Sequence, residues 1–355
     1  MRENTQLSFE FKMISGKKVT ADFSGGEVTS DAGVLVLREV CSRTGIIDHL
    51  AKAISDSRHQ SYVRHDLKTL LLQRVLSLAC GYEDANDADT LRFDPGFKAA
   101  CDRLPSGDDL ASQPTISRLE NALTTRDVYR IAEVLVGRFI ASYETRPDAI
   151  ILDLDDTNDP THGAQQLSLF NAYHDEYCYQ PLFIFEGRSG KLITSILRPG
   201  KRPGGKETRA IVKRVVRRIR EVWPQVGIIL RGDSHFATPE LYAWCDAHTV
   251  HYVLGLTANS LLKERAQTAV TAARREYAIS GEKARVFRQV WYQASTWHRA
   301  IRVIIMAEVS AQGDNIRFVV TSLESSPPSF IYETAYCGRG QMENFIKDHK
   351  LALKS

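Results

Sequence analysis

Two hydrophobic periods divide the chain. From about Ser30 to Tyr143, apolar positions recur every three or four residues and strand-like runs are scarce. "DLKTLLLQRVLSLACGYED" has that spacing, and "TTRDVYRIAEVLVGRFIASYE" opens on a Thr cap with an early Asp, so both predict helices. Between them, "SQPTISRLENAL" starts a short helix with Pro114 in its first turn. After "ETRPDA" the period falls towards two. "AIILDLDD", "QPLFIFEG" and "KLITSILRPG" read as strands close enough for hairpin connections. A long amphipathic helix, the strand "GIILRGD", the helix "TPELYAWCDAHT" and the strand "HYVLGLT" follow.

Three strands, helix, strand, helix, strand is the order of a ribonuclease-H-like mixed α/β sheet. That order makes the first and fourth strands parallel neighbours and brings Asp155 and Asp233 to one sheet edge, where α/β sites lie. From Asn259 to about Ser326, a helix precedes three β-rich stretches, "ARVFRQVWYQAS", "HRAIRVIIMAEV" and "NIRFVVTSL", which predict an inserted, largely antiparallel subdomain. "ESSPPSF" breaks the chain before a last helix from about Tyr332 to Leu353. The organisation expected is a helical N-terminal region (1–145), the first part of the core (146–257), a β-rich insertion (258–327) and the last part of the core (328–355).

Composition narrows the class. The 355 residues are 43% hydrophobic and 25% charged, ordinary for a globular protein of two or three domains. No apolar run is long enough to span a bilayer, and the N-terminus lacks a signal-peptide core, so the expectation is a cytoplasmic protein with no membrane partner. Six scattered cysteines without a CxxC pair point to reduced thiols and away from a structural zinc site.

Chemistry concentrates in "AIILDLDDTNDPTHG", where Asp153, Asp155 and Asp156 crowd the end of an apolar strand. Such carboxylates repel one another unless a cation, a proton or a basic side chain intervenes. On a regular strand Asp153 shares a face with Asp155, and Asp156 points the other way. In "YCGRGQMENFIKDHK", the residues Tyr336, Arg339, Glu343 and Lys350 fall at i, i+3, i+7 and i+14. At about 100° per residue they occupy one stripe of a helix roughly 60° wide; a solvated face with an Arg339–Glu343 pair is the plainer role for it. Charge clusters as well: nine basic residues against Glu207 lie between Lys201 and Arg220. Ile211, Val212, Val215, Val216, Ile219 and Val222 share one side of that helix, and Arg209, Lys213, Arg217 and Arg220 the other, a face suited to a polyanion.

The spacing Tyr-x2-Arg-x3-Glu-x6-Lys resembles the signature of bacterial insertion-sequence transposases of the DDE type. "LDLDDTNDPTHG" is similar to the first-Asp strand of one subgroup, "LRGDSHFATPELYAWC" to the second-Asp strand and its helix, and "FSGGEVTSDAGVLVLREV" to the N-terminal segment. The resemblance covers most of residues 20–350 with its motifs in order. It implies metal-dependent cleavage and strand transfer at insertion-sequence ends, with Asp155, Asp233 and Glu343 binding two Mg²⁺ ions (Mn²⁺ as a substitute). Asp153 or Asp156 stands as a substitute for Asp155, which the resemblance ranks first. It assigns Tyr336, Arg339 and Lys350 to DNA phosphates near the cut. It further implies terminal inverted repeats and target DNA as partners, a homodimer on DNA, and a bacterial cytoplasm with the nucleoid as the place of action.

Several residues carry weaker signals. Arg118 and Asn121 on the short N-terminal helix are candidates for DNA, with bundle packing the plainer role. His162, His174 and His235 are candidates for water or phosphate, and Trp291 and Trp297 for transposon ends, with structural roles favoured for each. Two rival readings remain open. Asp153-x-Asp155-x-Thr157 also matches the nucleophile loop of haloacid-dehalogenase-type phosphatases, although Ala237 stands where that class needs a further Asp. Only five residues follow Lys350, whereas the family continues with more helices. The chain therefore reads as C-terminally shortened, and the second rival is a truncated, inactive DNA-binding fragment.

Overall fold

The computed structural model describes residues 9–21, 28–163, 165–201 and 204–353. They fall into two compact units, divided between Val128 and Tyr129.

The first unit opens with an antiparallel hairpin, β1 (Phe9–Ile14) and β2 (Lys17–Ala21), joined through Ser15 and Gly16 in left-handed conformation. Helices α1 (Val34–Thr44), α2 (Ile46–Ala53), α3 (Leu67–Ala79), α4 (Ala88–Leu91), α5 (Pro95–Ala100) and α6 (Gln113–Ala122) follow. Asp66 caps α3 by accepting the Thr69 N–H, and Asp94 caps α5 by accepting that of Phe97. Ile116 of α6 packs with Leu70, Ala88 and Ala111, so this short helix is a bundle element. Within the N-terminal motif, Phe23–Glu27 lie outside the described residues.

Helix α7 (Thr125–Ala141) spans the division between the units, and its Val136, Phe139 and Ile140 join the core of the second. The α/β core therefore begins within this helix, earlier than the change of period suggests. Its strands are β3 (Ala149–Asp156), a short finger of β4 (Asp159–Pro160), β5 (Leu169–Asn171) and β6 (Glu176–Tyr179), then β7 (Leu182–Glu186) and β8 (Leu192–Ile196). Helix α8 (Gly205–Val222), β9 (Gly227–Gly232), α9 (Pro239–Ala247) and β10 (His251–Leu256) complete the ribonuclease-H-like series. The sheet runs β8-β7-β3-β9-β10, with β3 parallel to β9, β9 parallel to β10, and β7 antiparallel to both β3 and β8.

Beyond β10 the sheet continues. Helix α10 (Ser260–Ser280) leads into β11 (Ala284–Tyr292), β12 (Ile301–Ser310) and β13 (Gly313–Thr321). The sequence pattern predicts a separate subdomain here; instead β13 pairs antiparallel with β10, and one eight-stranded sheet results. The physical reason is that β10 is buried on both faces, and its free edge would leave backbone donors and acceptors unpaired in the core.

The two sheet faces are covered differently. Leu152, Leu154, Ile228 and Leu230 pack with Val212, Val216 and Ile219 of α8. The opposite face carries Asp153 of β3 directly across from Arg231 of β9. Arg231 grips Asp153 with two hydrogen bonds, Nε to Oδ1 at 2.5 Å and Nη2 to Oδ2 at 2.6 Å, and both side chains are buried. Its Nη1 donates to the Ala335 carbonyl at 2.9 Å.

That third bond reaches an irregular last helix. A single α-helix from Tyr332 is expected, but Phe330–Tyr336 is π-helical, Cys337–Arg339 makes a 3-10 turn, and α11 (Gly340–Leu353) starts only then. The Ala335 carbonyl in this stretch accepts from Arg231 Nη1, and a Cβ at Gly338 would stand 2.8 Å from that nitrogen.

Replacing Asp153 with Ala strands a buried guanidinium, and unfolding in urea is expected to show a loss of about 3–5 kcal/mol. Replacing the pair by Leu and Met should recover most of that loss. A single-variant loss below about 1 kcal/mol would show that the pair does not hold the sheet together.

Candidate active site

Strand register sets the site. Leu154 pairs with Gly232, so Asp155 and Asp233 leave parallel neighbours side by side at their C-terminal ends. Asp233 is fixed by accepting the backbone N–H of His235 at 2.8 Å. Asp156, on the other face of β3, accepts from Arg198 at 3.1 Å and is buried with it. The His235 ring lies between two acids, its Nδ1 3.5 Å from Asp156 Oδ1 and 3.8 Å from Asp233 Oδ2.

Each of the three crowded aspartates therefore has a different partner. Asp153 is clamped by Arg231, and burial pushes its carboxyl up while that guanidinium opposes the shift. Asp156 is held by Arg198. Asp155 meets, among the described residues, a single cation, Arg339, whose Nη1 is 3.3 Å from Oδ2. The Asp155 carboxyl is raised to about 7: burial is the largest cause, Arg339 pulls against it, and Asp233, Asp156 and Glu343 add to the rise. Those three carboxylates thus act on Asp155 from separate elements.

Helix α11 brings the last acid. Met342 and Ile346 bury against Phe183 and Phe185 of β7, which turns Glu343 towards the sheet edge. Arg339 Nη2 lies 3.6 Å from Glu343 Oε1, so one guanidinium links Asp155 with Glu343. The Tyr336 ring is 6.0 Å from the Arg339 guanidinium, and burial pushes its hydroxyl up. Lys350 Nζ donates to the backbone carbonyl of Asn158, just past the acid strand. Although the helix is irregular, Arg339, Glu343 and Lys350 all reach the β3 edge or its neighbours.

Among the described residues, no three His, Cys, Asp or Glu side chains form a group able to hold a metal ion as they stand. Arg339 provides positive charge between two of the acids instead. The donor set itself, carboxylates from two strands and a helix, fits a hard divalent cation.

The basic face of α8 divides into free and committed cations. Arg209 and Lys213 have no acid partner among the described residues. With Arg214, Arg217, Trp244 and His248 they line a cleft of about 530 Å³. Arg214 lies over the Tyr129 ring, and Arg217 stands within 3.7 Å of Glu133 and 3.6 Å of Glu221. Arg220, expected on the DNA-facing side, caps α9 by donating to the His248 and Thr249 carbonyls, because α8 and α9 end side by side. Trp297 is core, packed on Tyr242 and Tyr292, whereas Trp291 is half exposed. Sequence reasoning missed Arg198 and Arg231. The available signal was a cation on an otherwise buried strand or at its end, which requires a partner.

The mixed sheet thus gathers acids where β3 and β9 run parallel. The model of the transposase DDE domain group 1 family matches residues 11–355, and the chain belongs to that family. It is thus a DDE enzyme of DNA transposition. A comparison with curated protein sequences finds no match. Among solved structures, it is similar to piggyBac transposase in a synaptic complex with hairpin DNA, at 10% identity and a TM-score of 0.47, covering 87% of this chain and 68% of that one. It is also similar to a pre-cleavage Mos1 transpososome, at 11% identity and a TM-score of 0.21, covering 71% and 85%. These likenesses are distant, and the assignment rests on the family model.

The phosphatase alternative finds no support. Its nucleophile would be Asp153, which is buried in the grip of Arg231, and β3 leads into a finger of short strands where that class needs a helix.

An unfolded Asp releases its proton near pH 4, whereas folded Asp155 keeps it to about 7. Between those values the folded chain binds more protons, so this group makes metal-free stability fall as pH rises from about 4 to about 7 and then level off. In thermal melts with chelator, Asp155→Asn should remove that part of the slope. An unchanged slope would mean that Asp155 titrates at an ordinary value.

Proposed function

We infer that the chain cuts and joins DNA at insertion-sequence ends, with Asp155, Asp233 and Glu343 as its metal-binding acids. The observation that carries this reading is the meeting of Asp155 and Asp233 across the β3–β9 register, with Glu343 tied to Asp155 through Arg339. Asp155 is preferred over Asp153 and Asp156 because each of those is held by a buried arginine. Two bound Mg²⁺ ions, or Mn²⁺ in their place, supply activation of water and stabilisation of the leaving oxygen. The side chains do the rest. Asp233 is oriented by the His235 N–H, and the hydrophobic seat of Met342 and Ile346 sets the position of Glu343. Arg339, once drawn off the acids, grips a phosphate near the cut, with Tyr336 beside it and Lys350 further along the helix.

Arg209 and Lys213, with Arg217 partly neutralised, hold DNA phosphates farther from the cut, whereas Arg220 serves α9. Terminal inverted repeats and target DNA are the substrates. Pairing two ends favours a homodimer, acting in a bacterial cytoplasm and, when bound, at the nucleoid. No helix among the described residues is long and apolar enough to cross a membrane.

Glu343→Gln is expected to lower metal-dependent cleavage roughly 10³-fold, as fits the several kcal/mol that such ions contribute. DNA affinity, read by fluorescence anisotropy in chelator, should stay within about twofold. Full cleavage by this variant would remove Glu343 from the site. Lys213→Ala should reduce the slope of log affinity against log salt by about one, whatever the DNA sequence; an unaltered slope would leave α8 as a solvated face.

A further inference from the structure

Between the first acid strand and β7 the chain leaves the main sheet and builds the three-stranded finger β4-β6-β5. Phe170 of β5 pairs with Tyr177 of β6, so their rings share one face, 5.5 Å apart and edge to face. That face is open to solvent: Phe170 is 52% exposed and Tyr177 61%. The other face is packed at Cys178, which is fully buried with Gly200 so close that a Cβ there would lie 2.8 Å from its Sγ, while Leu169 across from it is 40% exposed.

The tip is built as firmly. Asn171 accepts the Tyr173 N–H on its side-chain oxygen, and the N–H groups of His174 and Asp175 on its carbonyl. This turn, with Asp175 in left-handed conformation, holds out Tyr173 at 90% exposure. A well-bonded hairpin thus presents three aromatic rings to water, and an apolar surface of that kind marks a binding site.

Charge decides what covers it. From Thr157 to Tyr179 there is no Lys or Arg, and Asp159, Asp175 and Glu176 make the finger acidic. Phosphates would then be held by the cations beside the finger, Lys350 at its root and Arg339, while the uncharged ring faces suit nucleic-acid bases. The finger starts three residues after Asp156, and its root at Asn158 accepts from Lys350, so it is continuous with the acid edge.

We propose that this finger is a stacking surface for DNA bases that have left the duplex beside the cut. The inference rests on reading the acid edge as the DNA-cutting site. A base freed from the helix loses its neighbours' stacking, and Phe170, Tyr177 and Tyr173 replace it without regard to sequence. The finger therefore favours melted or distorted ends over continuous duplex.

The test uses the full chain in chelator and two fluorescent DNAs, a blunt duplex and the same duplex with one splayed, unpaired end. The wild type should bind the splayed end about tenfold tighter, the scale of one stacked base. Phe170→Ala with Tyr177→Ala, and separately Tyr173→Ala, should lose that preference while keeping blunt-duplex affinity. If the double variant melts early, Phe170→Leu with Tyr177→Leu keeps the apolar bulk without the rings and should also lose it.

A wild type without preference, or ring variants that retain it, would overturn the proposal. So would a change in oligomeric state of the ring variants with the DNA preference intact, because a second copy would then be what covers the face. Metal-dependent nicking of the blunt duplex is read in parallel. Nicking retained with the preference lost supports the finger, and nicking retained with the preference intact overturns the finger alone. No nicking by the wild type would instead strike at the DNA-cutting reading.

Discussion

The grip of Arg231 on Asp153 is the contact on which the acid edge depends. Two strand carboxylates can stand side by side at the end of β3 and β9 only if the register between those strands is fixed, since a one-residue slip would turn Asp155 to the other face. Hydrophobic strands alone resist such a slip through core packing. The buried bidentate pair adds a polar lock that tolerates a single register, because a displaced Arg231 would be a buried cation without a partner. The same guanidinium reaches Ala335, so the lock extends from the two acid strands to the segment that leads to Glu343.

A second constraint is repulsion. Asp155, Asp156, Asp233 and Glu343 bring negative charge to one small region, and the fold answers with separate cations. Arg198 serves Asp156 on one face, and Arg339 stands between Asp155 and Glu343 on the other. The difference between these arginines is informative. Each donates a hydrogen bond to its aspartate, Arg198 at 3.1 Å and Arg339 at 3.3 Å, but Arg198 is the more deeply buried and Arg339 also lies 3.6 Å from Glu343. The high carboxyl value of Asp155 comes first from burial, which Arg339 opposes and the neighbouring acids reinforce.

Much of this architecture was legible in the sequence, and the gaps have physical causes. Apolar runs ending in acids marked β3 and β9, because strands buried on both faces need continuous hydrophobicity. The wide apolar side of α8 was equally plain. The attachment of β13 to β10 was not, since periodicity identifies a strand but says nothing about a partner some sixty residues away. The finger strands were missed because β4 has two residues and β5 three, too few to show a period among polar neighbours. The irregular turns from Phe330 to Arg339 were invisible because the residue spacing fits one continuous helix equally well. At the site, motif spacing pointed to Asp155, Asp233 and Glu343, but only coordinates could show that the neighbouring aspartates already have partners.

The three acids differ in how firmly the fold holds them. Asp155 and Asp233 belong to strands whose positions are set by the sheet ladder and by Arg231, so they move only if the core moves. Glu343 belongs to a helix whose seat is a small apolar contact, Met342 and Ile346 on Phe183 and Phe185. Phe345 fills the space above Gly190, a left-handed turn where a Cβ would collide with the ring. Upstream of that seat the backbone passes through π-helical and 3-10 turns instead of a rigid α-helix. Such a segment can rotate or slide at lower cost than a strand inside an eight-stranded sheet. The geometry thus separates a fixed half of the site from an adjustable half, and Arg339 lies at the junction, touching an acid of each. Displacing Arg339 would therefore expose one carboxylate on the sheet and one on the helix together.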